Sequence, residues 1–584
     1  MRLFFSNLSL AIFCAAASFI VSNAQTGTIT GRIVYEDGGG APNTTIMLTS
    51  VKANQQPASA RGVGDRAVTD EEGKFKFTGL APGVYMTSTF DSKGYVREPS
   101  SAAEMREQRY CRVGDNVTIT MIRGGVITGR VTTAIGEPMA GVRVYPVMVR
   151  DAAGHPVRRQ PGGRPRMTDD RGIYRLYGLA PGTYVVYTRP ETLGPSGSPY
   201  EGNVPTYHPS STHDTAAEIA VTSGGEATGI DIRYRGERGR VVSGTVAGVT
   251  EAPSTYNNVG VSLISLSTGN IISSSGVRPG GNANAFAIYG VPDGDYEIIA
   301  RRGEFNSNEM SASSPRRVTV KGADVTGIEW RLSPMASISG KIVLEATQSA
   351  CENRRKSTLE EVALSARREV GAGGGVDPFS LFLQEGSAND KGDFSIYNLQ
   401  PARYFIEPRL PNENWFVKSI AASAPPAAAN IRRAAKPSAS TDIARSGITL
   451  KSGENLTGLT LTVADGAAGL RGKVAAEKEG AQLLSRLRVH LTPAEDAASD
   501  DVLRYVETVV RGDGSFVLNN LAPGKYWLVA RAVPDDEPSD RPPMPVAWDA
   551  NERVKLRLEA ITAKNEIELQ LCGRVKDYVL RFNR

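Results

Sequence analysis

Short stretches in which apolar and polar residues alternate follow one another along almost the whole chain. Two of them, 69–85 and 168–184, align without a gap, and each runs from Thr-Asp through Gly and an alternating segment to Leu-Ala-Pro-Gly-x-Tyr. Alternation with a period of two is typical of a half-buried strand, and Pro-Gly is typical of a tight turn. The pattern therefore predicts a turn, a strand, a second turn and a return strand. Degenerate copies stand at 286–296, 390–404 and 512–526.

Each copy is preceded by an opening strand with its own pattern, an apolar residue, any residue, Gly, any residue and a β-branched residue. The five instances are 29–33, 127–131, 242–246, 338–342 and 470–474. The first four repeats also end on an alternating stretch that predicts a closing strand. These stretches are 117–121, 229–232, 327–332 and 459–463.

The Tyr that ends each copy gives the repeat length, because these residues stand roughly 100–120 positions apart: Tyr85, Tyr184, Tyr296, Tyr404 and Tyr526. That spacing fits one small domain per copy, since solenoid repeats are only about 20–50 residues long. Regularly spaced short strands with almost no helical periodicity predict β-sandwiches. The predicted boundaries are 25–122, 123–234, 235–333, 334–466 and 467–584.

Three segments depart from the repeat pattern. Residues 421–441, rich in Ala, Pro and Ser, predict a low-complexity insertion in the fourth repeat. Residues 415–420 predict an additional strand in that repeat. The stretch from Ala547 to Lys564 predicts a short amphipathic helix, followed by a closing strand at 567–571. The Trp side chains in these segments are expected in the core.

The opening Gly-x-Val, the hairpin at 136–144 and the run at 69–85 resemble carboxypeptidase regulatory-like domains, which are prealbumin-like sandwiches similar also to Cna B-type and starch-binding-like domains. The resemblance covers nearly the whole mature chain and is strongest in the first, second and fifth repeats. The predicted fold class is thus all-β, a tandem array of about five prealbumin-like or Ig-like β-sandwich domains. The resemblance implies this fold and an extracytoplasmic setting, as in secreted proteins of soil bacteria, but no substrate.

The N-terminus predicts a signal peptide at 1–24. An apolar stretch follows Arg2, and Ser22 and Ala24 supply the small residues expected before a cleavage site at Gln25. The alternative is an uncleaved anchor, because 3–21 is nearly long enough to span a bilayer. No later stretch approaches about 20 apolar residues, so no transmembrane segment is expected in the mature chain. The protein is expected in the periplasm, at the cell surface or outside the cell.

Three cysteines remain after cleavage, so complete internal pairing is excluded. If only neighbouring repeats touch, as in a linear array, Cys351 and Cys572 form the one plausible disulfide and Cys111 stays a thiol. Three buried thiols are the alternative.

The sequence offers no catalytic constellation. None of the four His residues begins a His-x-x-Glu motif, as a zinc carboxypeptidase would need, and the Gly-x-Ser-x-Gly and phosphate-binding motifs are absent. The Asp-x-x-Gly turns offer carboxylates to calcium, but hairpin turns use the same residues. We therefore predict no enzyme, no cofactor and no metal. The net charge of +5 over 584 residues, without a basic stripe, also predicts no nucleic-acid partner.

Two loops are the candidates for ligand contact, because binding groups often lie on loops held by a rigid scaffold. Loop 150–166 would attract an anionic glycan or lipid headgroup through Arg158, Arg159, Arg164 and Arg166. Loop 195–213 would offer rings for stacking on a sugar, from Tyr200, Tyr207 and His208. The alternatives are a solvated loop for the first and loop packing for the second.

The sequence therefore predicts a non-catalytic secreted or surface protein whose repeats act as spacer and adhesive modules. The first alternative is an array of carbohydrate-binding modules for polysaccharide, and the remote one is an accessory regulatory part of a peptidase system. Polysaccharide and other surface proteins are the partners considered.

Overall fold

The computed structural model describes most of the chain, including all five motif copies. The predicted signal peptide lies outside the described residues, as does most of the predicted insertion, whose ends at 421–422 and 441 belong to strands. The described ranges are 27–51, 65–90, 94–99, 110–157, 163–189, 202–247, 259–267, 271–276, 285–303, 310–345, 351, 357–369, 385–422, 441–476, 486–539 and 544–582.

The predicted fold class is confirmed, because the chain forms tandem β-sandwiches with one design. In the first sheet of each sandwich, the opening strand lies between the motif strand, to which it is antiparallel, and the closing strand, to which it is parallel. The second sheet holds the hairpin strand and the return strand.

The first sandwich has the sheet orders β4-β1-β8-β6 and β3-β2-β5-β7. Its strands are β1 (Gly27–Tyr35), β2 (Thr45–Ser50), β3 (Asp65–Val68), β4 (Lys74–Leu80), β5 (Val84–Phe90), β6 (Tyr95–Arg97), β7 (Tyr110–Arg112) and β8 (Asn116–Arg123).

The second sandwich has the orders β12-β9-β16 and β11-β10-β13-β14, with β17 paired to β9 and β15 to β13. Its strands are β9 (Gly125–Thr132), β10 (Arg143–Asp151), β11 (Arg166–Met167), β12 (Ile173–Leu179), β13 (Gly182–Thr188), β14 (Thr206–Tyr207), β15 (Ile219–Val221), β16 (Glu226–Ala227) and β17 (Ile232–Arg233).

The third sandwich has the orders β21-β18-β25 and β20-β19-β22-β23-β26, with β24 paired to β22. Its strands are β18 (Arg240–Ala247), β19 (Val259–Ser265), β20 (Ile271–Gly276), β21 (Ala285–Val291), β22 (Gly294–Arg302), β23 (Ser311–Ala312), β24 (Arg316–Val320), β25 (Val325–Arg331) and β26 (Ser333–Pro334).

The fourth sandwich has the orders β30-β27-β35-β32-β33 and β29-β28-β31-β34, and one short helix, α1 (Ile443–Ser446). The strand predicted at 415–420 is present as β32 and pairs with the closing strand β35. The strands are β27 (Ala336–Glu345), β28 (Ala363–Arg368), β29 (Glu385–Ser387), β30 (Asp393–Leu399), β31 (Ala402–Arg409), β32 (Trp415–Ala422), β33 (Thr441–Asp442), β34 (Ile448–Leu450) and β35 (Asn455–Asp465).

The fifth sandwich has the orders β39-β36-β42 and β38-β37-β40-β41, and the helix α2 (Ala550–Ala563). The predicted helix is present, but the closing strand predicted at 567–571 is wrong. The strand found there pairs with the return strand in the second sheet, and β42 takes the closing position beside β36. The strands are β36 (Ala468–Ala476), β37 (Leu487–Pro493), β38 (Val506–Val509), β39 (Ser515–Leu521), β40 (Gly524–Ala532), β41 (Asn565–Leu569) and β42 (Arg574–Phe582).

Each sandwich has its own buried apolar core, and the Tyr that ends the motif belongs to it. In four repeats the hydroxyl of this Tyr donates to the backbone carbonyl four residues earlier, at the turn; in the second repeat Tyr184 reaches Ala180 at 2.7 Å. The ring thus fills the core while its polar end is hydrogen-bonded.

The Gly of the opening strand is explained by its neighbour, the closing strand. A side chain at this position would overlap a backbone carbonyl of that strand in every repeat, so only Gly fits. The five pairs of Gly and carbonyl residue are Gly31 and Val117, Gly129 and Ile230, Gly244 and Ile328, Gly340 and Leu459, and Gly472 and Tyr578.

The Thr-Asp pair that begins the motif holds two turns. The buried Thr168 hydroxyl donates to the Met139 carbonyl at 2.6 Å and accepts the Val142 N–H at 2.9 Å. The Asp169 carboxylate accepts the N–H of Ile173 at 2.7 Å. That hydrogen bond holds the pKa of the Asp169 carboxyl below its usual value. These polar residues therefore have structural roles.

Candidate functional site

The position before the last residue of each motif strand, which is Leu in four repeats and Val291 in the third, adopts a left-handed backbone. It lies at a β-bulge, where the register between the motif strand and the opening strand shifts. Gly and Asn tolerate this conformation better than other residues, and they alone occur here. The five residues are Gly79 (φ 73°), Gly178 (φ 67°), Gly290 (φ 68°), Asn398 (φ 61°) and Asn520 (φ 59°).

In the second and third repeats this left-handed Gly packs against the preceding repeat. Gly178 lies close to Gly94, and Gly290 lies against the backbone of Asn203. Beside each contact, a linker residue at the start of the repeat donates its N–H to the segment that follows the return strand of the preceding repeat. Gly124 donates to the Gly94 carbonyl at 2.9 Å, and Gly239 donates to the Gly202 carbonyl at 2.7 Å.

In the fourth and fifth repeats an Asn side chain makes the corresponding contact. The Asn398 amide oxygen accepts the Met310 N–H at 3.3 Å. The Asn520 amide donates to the carbonyls of Asn412 and Trp415 at 2.6 and 2.7 Å. The linker hydrogen bond recurs as well, from Met335 to Met310 at 2.9 Å and from Ala467 to Asn414 at 2.6 Å.

We call the stretch that follows the return strand of a repeat its exit segment. In what we call the joint, the left-handed residue and the linker N–H of one repeat contact the exit segment of the repeat before it. Four joints of this kind link the five repeats in series. Backbone groups take part in all four joints, and an Asn side chain adds hydrogen bonds in the third and fourth.

The fourth joint carries additional contacts. The Glu413 carboxylate of the exit segment lies 3.3 Å from the Arg471 guanidinium and 3.9 Å from that of Arg574. The Phe405 and Trp548 rings stack with their centroids 4.3 Å apart. The ion pairs strengthen this joint, and the ring stack is a second contact between the fourth and fifth repeats.

Of the three cysteines among the described residues, two form a disulfide and one is a buried thiol. Cys351 and Cys572 are joined by a disulfide between the fourth and fifth repeats, with their Cα atoms 5.6 Å apart. Cys111 is a buried thiol in the first repeat, 3.6 Å from the Tyr85 carbonyl oxygen. Burial raises the pKa of the Cys111 thiol to about 12, so it stays protonated and unreactive at neutral pH.

The expectation that only neighbouring repeats touch is wrong, because the first repeat packs on the fourth. The Arg112 guanidinium donates to the carbonyls of Glu361 and Leu410, both at 3.1 Å. The Tyr110 hydroxyl donates to the Glu385 carboxylate. Three apolar residues of the two repeats form a shared buried cluster: Val51, Val84 and Ala363.

We call this contact between the first and fourth repeats the clasp. A smaller contact joins the second and fifth repeats, where the Ser539 N–H donates to the Pro156 carbonyl at 3.0 Å. The array is therefore folded back on itself. Periodicity within a repeat carries no information on contacts between distant repeats, which explains why the sequence pattern did not predict them.

A groove of about 360 Å³ lies beside the first joint. Its wall includes the exposed Tyr177 ring, and the guanidinium of Arg166 lies over that ring, 4.0 Å from the centroid. Arg175 on the same strand pairs with Glu226. The structure thus brings one predicted loop residue, Arg166, next to a groove that the sequence did not indicate. The residues lining the groove are Gly94, Tyr95, Arg123, Gly124, Val126, Arg175, Tyr177, Gly178, Gly224 and Glu226.

The other predicted loop residues do not line this groove where the structure describes them. Arg158, Arg159 and Tyr200 lie outside the described residues, and Arg164 is exposed. Tyr207 is 6% exposed, with its ring 5.0 Å from that of Tyr187. His208 Nδ1 lies 2.6 Å from the Asp231 carbonyl oxygen. Ligand contact by these loops stays a prediction.

Charged side chains also lie beneath helix α2 in the fifth repeat, where strand β37 is buried on both faces. Arg488 lies 2.8 Å from Glu537, and His490 lies 3.4 Å from Glu507. Burial acts to raise the pKa of the Glu507 carboxyl, but the His490 hydrogen bond and the nearby positive charges outweigh it, so the pKa is lowered. These charged groups therefore pair with one another in the folded repeat.

Within the described part of the chain, no group of three or more His, Cys, Asp or Glu side chains is placed to hold a metal ion. In the same residues, no helix combines the length and the apolar character needed to cross a membrane.

No family model and no curated protein matches the chain. Among solved structures it is similar to the minor pilin of Streptococcus agalactiae, at 14% identity over 39% of this chain and 99% of that chain, with a TM-score of 0.20. It is also similar to the major pilin subunit of Bacillus cereus, at 11% identity over 52% and 99%, with a TM-score of 0.14.

The Bacillus anthracis TIE protein is similar at 11% identity and a TM-score of 0.14; the match covers 53% of this chain and 51% of that one, about half its length. The fold assignment rests on the sheets and cores of the chain itself.

Proposed function

We propose that the chain is an exported, non-catalytic protein built from carboxypeptidase regulatory-like sandwiches, which serves as a jointed scaffold that presents interaction surfaces. The recurrence of one joint between successive repeats carries this proposal. The Asp of the turns and the motif Tyr, which suggest chemistry in the sequence, have roles in the fold. The left-handed residues of the second to fifth repeats have roles in the joints.

The joints and the clasp also specify what kind of scaffold this is. Sandwiches connected only by flexible linkers would move independently, which is the ordinary expectation for small contacts between domains. Here, direct backbone hydrogen bonds at each joint and a second contact between the first and fourth repeats hold the surfaces in fixed relative positions. We therefore propose a compact support for binding surfaces rather than an extended spacer.

Cell fractionation with N-terminal sequencing tests the export part of the proposal. The chain, expressed in a bacterial host, is expected outside the cytoplasm with Gln25 as its first residue. A variant in which Leu10 and Phe13 are replaced by Asp is the control and is expected to stay in the cytoplasm. Wild-type chain that remains cytoplasmic with Met1 intact would contradict export.

Carbohydrate binding is the second candidate, because the groove beside the first joint combines an exposed aromatic ring with guanidinium groups. A sugar ring would take the place of Arg166 over the Tyr177 ring, and an acidic sugar would pair with Arg123. The test is retention on acidic polysaccharides of the wild type and of Tyr177→Ala. Tyr289→Ala is the matched control, since Tyr289 is exposed at the same motif position in the third repeat. Equal retention of both variants, or none by the wild type, would exclude this groove.

A further inference from the structure

The left-handed position of the first repeat has the same backbone as its four counterparts but a different environment. Gly79 and the preceding Thr78 are exposed, and a Cβ atom built on Gly79 would have no described atom within 4 Å. By contrast, Gly290 is buried, and Gly178, Asn398 and Asn520 are partly buried by the preceding repeat. Among the described residues, the left-handed residue of a fifth joint is therefore present and uncovered, while the linker residue that would accompany it lies outside them.

We infer that this surface docks the exit segment of the fifth repeat of a second copy, so that copies of the chain associate head to tail. The inference rests on the proposed scaffold function and extends it from contacts within one chain to contacts between chains. Its basis is that the same surface binds an exit segment at four places in this structure.

The exit segment of the fifth repeat has the properties that such a contact needs. It follows the return strand β40, as the other exit segments follow theirs, and Asp535 and Asp536 on it are exposed. The same segment touches the second repeat at Ser539, whose N–H donates to the Pro156 carbonyl. Among the described residues, no contact of another repeat with the Asp535 and Asp536 side chains is seen.

Charge favours this pairing. Lys74 and Lys76 are exposed on the motif strand of the first repeat, the same strand that carries Gly79 near its end. Opposite charges across a contact steer association and fix its register. The fourth joint shows the same polarity within the chain, since Glu413 of the exit segment pairs with Arg471 of the next repeat.

The geometry of such a contact determines the kind of assembly. The two surfaces are different and lie on different repeats, so the contact is heterologous and does not close on itself as a two-fold dimer does. Association is therefore expected to continue beyond two copies as the concentration rises.

Sedimentation equilibrium of residues 25–584 at low ionic strength tests the inference. The mean mass is expected to rise beyond two copies with concentration and to fall on addition of salt, which screens exposed charges. In the double variant Lys74→Glu with Lys76→Glu, the surface of the first repeat becomes acidic like the exit segment of the fifth. In the double variant Asp535→Lys with Asp536→Lys, that exit segment becomes basic like the surface of the first repeat. Each double variant alone is expected to associate more weakly than the wild type, by a factor of about ten or more.

Mixing the two double variants is the decisive step, because each then offers the surface that the other needs. The mixture is expected to recover the association of the wild type. Lys391→Glu, an exposed charge reversal on a turn of the fourth repeat, is the matched control and should leave association unchanged. A wild type that stays monomeric, a mass that stops at two copies, or a mixture that fails to recover would overturn the inference. None of these results bears on export, which fractionation tests separately.

Discussion

At the scale of single residues, the repeated motif is a set of steric and hydrogen-bonding requirements. The opening-strand Gly lets a parallel strand approach, the buried Thr and the Asp hold two turns, and the Tyr joins a core to a turn. Substituting each of these residues should therefore change stability for a different physical reason. The third repeat contains both motif residues and matched control residues for testing this.

Gly244→Ala is expected to destabilise the third repeat by about 1–3 kcal/mol, because the new methyl group would overlap the Ile328 carbonyl of the closing strand. Gly260→Ala is the control in the same repeat: it lies in a strand, and a Cβ built there has no described atom within 4 Å. Hydrogen exchange of the amides in β18 measures the local free energy of unfolding. Equal effects of the two substitutions would refute the steric explanation.

The motif Tyr of the third repeat gives a pH prediction. Burial, together with the nearby Asp293 charge, raises the pKa of Tyr296 to about 12, whereas an unfolded Tyr ionises near 10. The native state thus keeps its proton while the unfolded state loses it, so the repeat is fully stabilised below about pH 10 and loses stability as the pH rises towards 12.

Urea titrations at several alkaline pH values check this prediction. Tyr296→Phe should be less stable at neutral pH, since it loses the hydrogen bond to the Pro292 carbonyl, yet should show a shallower loss of stability between pH 10 and 12. Tyr289→Phe removes an exposed hydroxyl from the same repeat and is expected to keep the slope of the wild type. Identical slopes for all three proteins would contradict the prediction.

At the scale of the element, the bulge in the motif strand has two roles. It shifts the register against the opening strand, and it turns a left-handed residue outwards to meet the preceding repeat. The strands and turns were predictable, because period-two alternation and Pro-Gly are local signals. The joint was not, since Gly178 and Asn520 make different contacts and only their shared backbone conformation relates them.

Asn520→Gly separates these two roles, because Gly keeps the left-handed backbone and removes the amide. The loss of the hydrogen bonds to Asn412 and Trp415 should weaken the fourth joint by about 1–3 kcal/mol, at roughly 0.5–1.5 kcal/mol per bond. Faster hydrogen exchange in residues 412–415 would report it. Gly79→Asn, at the uncovered position of the first repeat, is the control and should change exchange nowhere in the fourth repeat.

The fifth repeat shows where local signals mislead. Residues 565–569 alternate as a closing strand would, but the helix α2 before them returns the chain to the second sheet, and β42 takes the place beside β36. Alternation identifies a strand without identifying its partner, because both sheets of a sandwich have one face on the same core.

At the scale of the whole molecule, the array is not linear. Four joints connect the repeats in series, while the clasp and the contact between Ser539 and Pro156 connect repeats that are distant in sequence. These long-range contacts depend on Arg112, Tyr110 and Glu385, which belong to no motif, so their pairing was not visible in the sequence.

Arg112→Glu is expected to open the clasp, because a carboxylate would face the carbonyls of Glu361 and Leu410 in place of a donor. The joints stay intact, so the repeats remain folded while the first repeat moves away from the fourth. Small-angle X-ray scattering should then show a larger radius of gyration. Arg66→Glu, on an exposed strand residue of the first repeat, is the control. An unchanged radius in Arg112→Glu would show that the clasp does not hold the first repeat.

The clasp can stay closed even if the affinity between its two surfaces is low. Its two halves are tethered by the second and third repeats, so each meets the other at a high effective concentration set by the three intervening joints. The hydrogen bonds of Arg112 and the small apolar cluster can then keep the clasp closed, although the same surfaces on separate molecules would bind more weakly. A separate first repeat added in solution would therefore compete poorly for the fourth, and stiffening or loosening any of those joints would tune the clasp from a distance.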